Sequence, residues 1–394
     1  MEQNATSGLI RRLNRSAILD LIRESGPISR STIGRKLNIS LPTVMRIISE
    51  LDEEGLVRDC GSMEASGGRP RSLVEFNGGG SVVIGIDLGG TKMFGTVADL
   101  SGNIQVEEYI TWNGDQANSL NRVCDLVERL LAAPRPDGQS IRGIGIGAPG
   151  ITLYEEGVVS WAPGLGWRDL PLKKILVERY GLPVVIENDV NLAALGEYGF
   201  GAGKGASSLV CMAVGTGIGA GIVIDRKVYR GFHQSAGEIG YLPPDVSYLG
   251  RSYSGFGAFE SIASGPGIAA RARQLLQDRG LPLPHEGLTS EAVFNAARGG
   301  EVWAQQVLND TVDYLAFAVA TITALIDPEV IVLGGGVARS ADLLIDPILR
   351  RVKGVVPSLP LLVQSTLGFR AAVMGAIMLV LDATTEHVAI GRLI

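Results

Sequence analysis

The chain has 394 residues, 46% of them hydrophobic and 19% charged, with a formal net charge of −6. That length predicts two or three domains with a sizeable core, and the composition excludes a disordered or fibrous protein. The acidity excludes a surface that coats nucleic acid or an anionic membrane as a whole, but residues 1–80 carry 11 Lys and Arg against 10 Asp and Glu, while the remaining 314 carry 24 against 31.

Residues 7–24 place Ile10, Leu13, Ile18, Leu21 and Ile22 near a helical period, which predicts a first helix ended by Ser25-Gly26-Pro27. Ser29 reads as the N-cap of a short helix over 30–37, closed by Asn38. Ser40 caps a third helix, with Pro42 in its first turn and Val44, Ile47, Ile48 and Leu51 as its apolar stripe. Helix, short turn, helix is the helix-turn-helix plan, whose second helix enters the major groove. Leu41, Thr43, Arg46 and Ser49 would face outward from that helix toward bases and phosphates. Residues 55–58 and 73–76 read as strands around the loop SMEASGGRPRS. That is a wing with Arg69, Pro70 and Arg71 at or near its tip, suited to phosphate or minor-groove contact. A small protein-interaction domain with solubilising arginines is the alternative; the ordered set of three helices and a basic wing favours DNA. Asn77-Gly78-Gly79-Gly80 reads as a linker.

Beyond it, VVIGIDLGGTKMFGTVADLSGNI (82–104) and LVCMAVGTGIGAGIVIDRKVYRG (209–231) share one plan. Each is a buried strand, a glycine-rich turn carrying Thr91 or Thr216, and a second strand. The repetition predicts two lobes of one topology, with turns able to present backbone N–H groups and hydroxyls to an anion. A single glycine turn would be no more than a hairpin; two matched turns say more. IGIGAPG (144–150) is a strand running into a close turn. VVIENDVN (184–191) is a strand ending in polar side chains, ahead of the helix-like LAALGEYGF. Ligands of α/β sheets bind at such carboxyl ends. Capping is the structural alternative for Asp189, yet four polar groups in five residues exceed one cap. Residues 308–325 predict an apolar helix leading into VIVLGGGV (330–337), whose glycines would approach a nucleobase or pack a helix tightly. The spacing does not decide between these.

Cys60, Cys124 and Cys211 lie far apart without any CxxC spacing, so neither a disulfide framework nor a cysteine zinc site is expected. The N-terminus lacks an apolar signal region, and no run of 18 apolar residues exists. A cytoplasmic protein with no membrane partner is the expectation.

Together, DLGGTK (87–92), GAPG (147–150), ENDVN (187–191), GTGIGAG (215–221), GEIG (237–240) and LGGGVA (333–338) resemble the ROK family of sugar kinases and sugar-responsive repressors. The N-terminal helix-turn-helix followed by GGRP resembles its repressor branch. The resemblance implies an α/β, actin-like ATPase (ribonuclease H-like) fold of two lobes with the ligand in the interlobe cleft, preceded by a winged helix-turn-helix. The implied domains are 1–78 (DNA-binding, with linker), 79–190 (first lobe) and 191–394 (second lobe, its last helix returning to the first). By the same resemblance Asp189 matches the aspartate that acts as general base in ROK kinases. Asn188, Glu238 and Glu260 match sugar contacts. Asp87, Gly89, Gly90, Thr91 and Lys92 match the first phosphate and magnesium element, Gly215, Thr216 and Gly217 the second, and Gly334, Gly335 and Gly336 the adenosine side.

Two departures stand out. The family usually has a histidine after GEIG and then a CxCGxxGCxE zinc motif; here Tyr241 takes the histidine's place, and PPDVSYLGRSYSGFGAFE contains no cysteine or histidine. Tyrosine is a poor zinc ligand, so no zinc is expected, and packing of Tyr248, Tyr253, Phe256 and Phe259 would hold the segment. His233 reads as a surface or packing residue. Gly164 stands where the family usually places a sugar-binding asparagine. Each lost hydrogen bond is worth about 1 kcal/mol net, which implies a pocket reshaped for a ligand other than plain glucose. The expected function is a sugar-responsive regulator, a repressor, that binds operator DNA as a homodimer or homotetramer with a sugar or polyol effector and no required cofactor. The alternative is an ATP-dependent sugar kinase, or a bifunctional kinase-regulator, using ATP and magnesium. A non-catalytic scaffold is a third and blander reading.

Overall fold

The computed structural model describes residues 2–63, 71–90, 92–111, 116–136, 138–253, 257–283 and 287–385. Helix α1 is Glu2–Ser25, five residues longer at its start than the apolar period predicts. Periodicity marks only the face that becomes buried, and polar residues continue a helix without it. Strand β1 (Ile28–Ser29) was not anticipated. Helix α2 is Arg30–Leu37, with Ser29 accepting from the Thr32 amide and Asn38 closing it in the left-handed conformation. Helix α3 (Leu41–Glu53) buries Val44, Ile47, Ile48 and Leu51. Ser40 holds the N-cap position but bonds no helix amide; its hydroxyl meets that of Thr43 at 2.8 Å instead.

The wing strands β2 (Val57–Met63) and β3 (Arg71–Phe76) reach further into the loop than expected. A register shift between Asp59 and Ser62, with Gly61 at φ 98°, lets the polar stretch stay paired. The sheet order is β1-β3-β2, and the tip with Arg69 lies outside the described residues. Residues 77–80 are not a free linker. Asn77 N donates to the Leu56 carbonyl, Leu100 N to that of Gly78, and the Gln139 side-chain amide to that of Gly79. A Cβ on Gly78 would lie 1.7 Å from the Ser101 hydroxyl, so only glycine lets this segment close on the sheet that follows.

That sheet comprises β4 (Ser81–Leu88), β5 (Lys92–Asp99), β6 (Ile104–Thr111), β7 (Ser140–Ala148) and, after intervening elements, the strand Val184–Asn188. The intervening elements are α4 (Ser119–Ala132), a small sheet of β8 (Ile151–Leu153), β9 (Val158–Ala162) and β10 (Trp167–Leu170), and α5 (Leu172–Tyr180). With Val184–Asn188 as β11, the order is β6-β5-β4-β7-β11. Next come α6 (Asp189–Phe200), β12 (Ser208–Val214), β13 (Ile218–Ile224), β14 (Lys227–Val228), α7 (Ala258–Ala263), α8 (Gly265–Asp278), α9 (Ser290–Arg298) and α10 (Val302–Ile326). Strand β15 (Val330–Gly334), α11 (Ala341–Val352), β16 (Leu361–Gln364) and α12 (Ala371–Thr384) complete the chain. The second sheet is ordered β14-β13-β12-β15-β16. Counted along the chain, both sheets run 3-2-1-4-5, with the first strand antiparallel to the second and parallel to the fourth. The repeated segments at 82–104 and 209–231 are the matching hairpins of this doubled fold.

The chain forms two units, Met1–Glu187 with Ala376–Ile394, and Asn188–Gly375. In the first, Ile84, Ile86, Val97 and Ile144 pack with the α4 residues Val123, Leu126 and Leu130. In the second, Val210, Met212, Ile331 and Leu333 pack with Val312, Leu315 and Val319 of α10. Among the described residues no helix is long and apolar enough to cross a membrane.

Glu197 on α6 is fully buried and gathers donors from two segments. It accepts from Ala202 N at 2.8 Å, Ser365 Oγ at 2.5 Å and Leu367 N at 3.0 Å. Removing the carboxylate leaves several buried donors unmet, each costing about 1–3 kcal/mol. Glu197→Ala is therefore expected to lower the stability of the second unit by about 3 kcal/mol or more, measured as an earlier unfolding midpoint in urea.

Candidate functional site

On α3, Leu41, Arg46 and Ser49 are exposed and Thr43 is half-buried. Met45 is also exposed, at 54%, and was missed by sequence reasoning. Its spacing of four from Leu41 places both on one helical face, and an apolar pair there suits contact with a thymine methyl. Arg30 ties α2 to the wing through Asp59 at 2.9 Å and Ser72 at 3.1 Å. The hydrogen bond from Arg30 holds the Asp59 carboxyl below its usual range. Arg71 opens β3; its side chain, like the whole of Arg69, lies outside the described residues.

A second polar site is built on β13. Gly219 and Gly221 leave room for the first turn of α6; a Cβ on Gly221 would stand 2.4 Å from the Val190 carbonyl oxygen. Strand β11 ends at Asn188, earlier than the sequence suggests, because Asn188 caps α6. Its Oδ1 accepts from Val190 N at 2.9 Å and Asn191 N at 3.1 Å. The capping task thus falls to Asn188, and Asp189 becomes the first helical residue, held by a bond from Val190 N at 2.9 Å. On the neighbouring residue of β13, Ala220 N donates to the Gly237 carbonyl at 2.7 Å, which fixes the start of GEIG. Ile218 N donates to Glu260 Oε2 at 3.0 Å, which fixes α7. Asp189, Glu238 and Glu260 are brought together in this way, each half-buried and reachable.

The electrostatics follow from that gathering. Desolvation pushes the Asp189 carboxyl up to about 6 against the pull of backbone N–H groups. Desolvation, then the charges of Asp189 and Glu260, push Glu238 up to about 7. Tyr241 is 47% exposed, and its phenol is raised by desolvation and by Glu238 and Glu260. Near neutrality such a set offers both acceptors and a carboxylic acid donor, which suits the hydroxyls of a sugar or polyol. A carboxylate with a pKa near 6 is also poised for general-base work.

The glycine turns divide between the two units. In the first, Gly89 N donates to the Lys92 carbonyl, Gly90 completes the turn, and Thr91 lies outside the described residues. Asp87 sits in register with Gly147, and the Lys92 ammonium stands 3.9 Å from the Tyr109 ring centre, in a cation–π contact. Gly164 is exposed in a turn held by Gln116 and Ser119, with open space where a side chain would begin. In the second unit, Gly215, Thr216 and Gly217 follow β12, and Gly334 ends its parallel neighbour β15, with Gly335 and Gly336 after it. Gly335, at φ 80°, passes so near Val214 that a Cβ would lie 2.3 Å from its carbonyl oxygen. The α8 amide of Gly265 donates to the Gly215 carbonyl at 2.8 Å.

Over the segment without cysteine or histidine, Tyr248 and Tyr253 stack at 6.4 Å and buried Phe259 meets Phe317 at 6.5 Å. Phe256 lies outside the described residues, and His233 is exposed beside Phe232. Among the described residues no group of three or more His, Cys, Asp or Glu is arranged to hold a metal ion.

Residues 83–383 match the model of the ROK family, and residues 11–58 match a winged helix-turn-helix DNA-binding model. The xylose repressor of Caldicellulosiruptor bescii is 29% identical over 389 residues, covering 95% of this chain and 96% of its own. The glucokinase of Halalkalibacterium halodurans is 35% identical over 274 residues, 67% of this chain and 83% of its own. The crystal structure of a ROK family transcriptional regulator, a homologue of the E. coli Mlc protein, superposes with a TM-score of 0.81 at 26% identity, covering 96% of this chain and 99% of that one.

The raised carboxyls carry a pH signature. A folded-state pKa above the unfolded value gives stability that is present at low pH and lost as pH rises through it, here between about 4 and 7. Glu238→Gln removes one such charge. It should raise the apo unfolding midpoint at pH 8, by about 1–2 kcal/mol of stability after allowance for partial exposure, and change little at pH 4. Equal midpoints for variant and wild type at pH 8 would contradict the carboxylate cluster.

Proposed function

The chain belongs to the ROK family, and on that footing we propose that it is a sugar-responsive transcriptional repressor. The observation that carries this reading is the presence in one chain of a winged helix-turn-helix with an exposed α3 face and of a carboxylate cluster suited to hydroxyl groups. The effector is a sugar or polyol bound at Asp189, Glu238 and Glu260, with Tyr241 beside them, and the xylose repressors among its relatives make a pentose the first candidate. The effector acts by binding one conformational state better than another. One winged domain makes few contacts, so the operator is a two-fold site read by a homodimer or homotetramer. The cytoplasm, where the operator lies, is its place of action, and no cofactor, zinc included, is required.

Operator binding by purified protein, titrated with D-xylose and a panel of sugars and polyols, tests this reading. Arg46→Ala should weaken operator affinity at matched salt by about tenfold, the loss of roughly 1–2 kcal/mol from a base or phosphate contact. Asp189→Ala should abolish the effector response while leaving apo binding to the operator intact. A variant that still responds would remove Asp189 from the site.

A kinase reading has one specific observation in its favour: the turns Gly215–Gly217 and Gly334–Gly336 end adjacent parallel strands beside the start of α8. Backbone amides so placed suit the phosphates of ATP with magnesium. If the repressor reading alone holds, ATP, magnesium and the same sugar panel should release no ADP above background. Turnover lost in Asp189→Asn would establish a bifunctional protein instead.

A further inference from the structure

Helix α12 packs on the element that carries Asp189 and on β7 through contacts too close for ordinary side chains, and two arginines join its far end to the end of the DNA-reading helix. Its first turn lies in the second unit, where a Cβ on Gly196 of α6 would stand 2.1 Å from the Ala371 carbonyl oxygen. A Cβ on Gly375 would stand 1.9 Å from that of Leu192. Glu197 reinforces this crossing by binding Ser365 and Leu367, just ahead of α12. The rest of α12 lies in the first unit and packs on β7, where Cβ atoms on Gly145 and Gly143 would meet Ala376 at 2.7 Å and Val380 at 2.9 Å.

The far end of α12 is fastened to the winged domain by two largely buried arginines. Arg142 of β7 donates to Thr384 Oγ1 at 3.0 Å and to the main-chain carbonyl of Glu54, the C-cap of α3, at 3.4 Å. Arg15 of α1 donates to the Thr385 carbonyl at 3.3 Å and to Glu54 Oε2 at 2.5 Å. The same Glu54 carboxylate lies 3.7 Å from Arg142. A carboxylate at a helix C-terminus is unfavourable on its own, and paired guanidinium groups reverse that. Desolvation lowers the Arg142 pKa, and the Glu54 charge offsets part of that cost.

We propose that α12 transmits the state of α6, and with it of Asp189, to α3, and that Arg142 and Arg15 are the positioning residues that latch the DNA-reading helix to its end. The latch rests on the repressor reading for its purpose, but its test needs neither sugar nor DNA. Hydrogen exchange is followed by mass spectrometry on the full chain. Gly375→Ala, which forces α12 from α6, and the milder Ser365→Ala, which loosens Glu197, should each raise exchange in residues 41–53 at least twofold. In an Arg142→Ala background, where that segment already exchanges faster, neither should add to it. Arg142→Lys, which keeps one of the bonds, should restore part of the coupling. If Gly375→Ala does not fold, Ser365→Ala decides. Unchanged exchange in α3 for folded Ser365→Ala, or purely additive effects with Arg142→Ala, would overturn the latch. A parallel arm with D-xylose separates the two ideas, because silence toward sugar with the coupling intact counts against the sugar reading and not against the latch.

Discussion

Everything at the candidate effector site depends on the absence of side chains along one strand. Strand β13 carries glycine at 219 and 221, and three elements close on it: α6 at those glycines, the GEIG segment at Ala220 and α7 at Ile218. A methyl group at 221 would collide with the backbone of α6 at 2.4 Å, which no rotamer change relieves. Glycine costs backbone entropy in a strand, and here it brings three carboxyl groups from separate elements to one place. Gathering them has an electrostatic cost of its own, visible in the raised Asp189 and Glu238. A stretch that bears such a cost with no charge-balancing partner among the described residues is better explained by a ligand than by stability.

Much of this was legible in the sequence because it resides in backbone-level signals. Glycine turns after apolar runs marked the matching hairpins, and the cap at Ser29 with left-handed Asn38 set α2 to the residue. The features that escaped are those whose signal is not local. The wing strands were found at their apolar ends, but their extensions toward the tip are polar and interrupted by Gly61, so neither alternation nor hydrophobicity revealed how far they run. Residues 77–80 look like a flexible connector, yet Gly78 packs closely against Ser101 and Gly80 against the Gly55 carbonyl. At ENDVN the sequence could not say which polar residue caps the helix. The structure gives that task to Asn188 and leaves Asp189 on the first helical turn. Met45 was overlooked because an apolar residue on a helix reads by default as core.

The segment ahead of α7, which contains no cysteine or histidine, is held by aromatic packing and a close backbone approach. Phe259 is fully buried, Tyr248 stacks on Tyr253, and Gly257, at φ 102°, permits α7 to begin against the backbone of Tyr241. These contacts fix the approach of Glu260 to β13. Tyr241 supplies a phenol next to the carboxyls, and a raised phenol remains protonated, hence a donor.

The same electrostatics constrain how a neutral effector would act. Without ligand, the carboxyl groups hold protons more tightly than ordinary ones, since ionisation in this desolvated cluster is penalised. A sugar hydroxyl that donates to a carboxylate lowers that penalty and draws the pKa back toward its usual value, so binding favours the ionised form and releases protons from the fraction of the cluster still protonated. Proton and sugar therefore both stabilise the gathered arrangement of α6, GEIG and α7, yet compete for the same oxygens. An effector of this kind needs no charge to shift the protein between states. Its hydroxyls need only find the carboxyls closer together in one state than in the other.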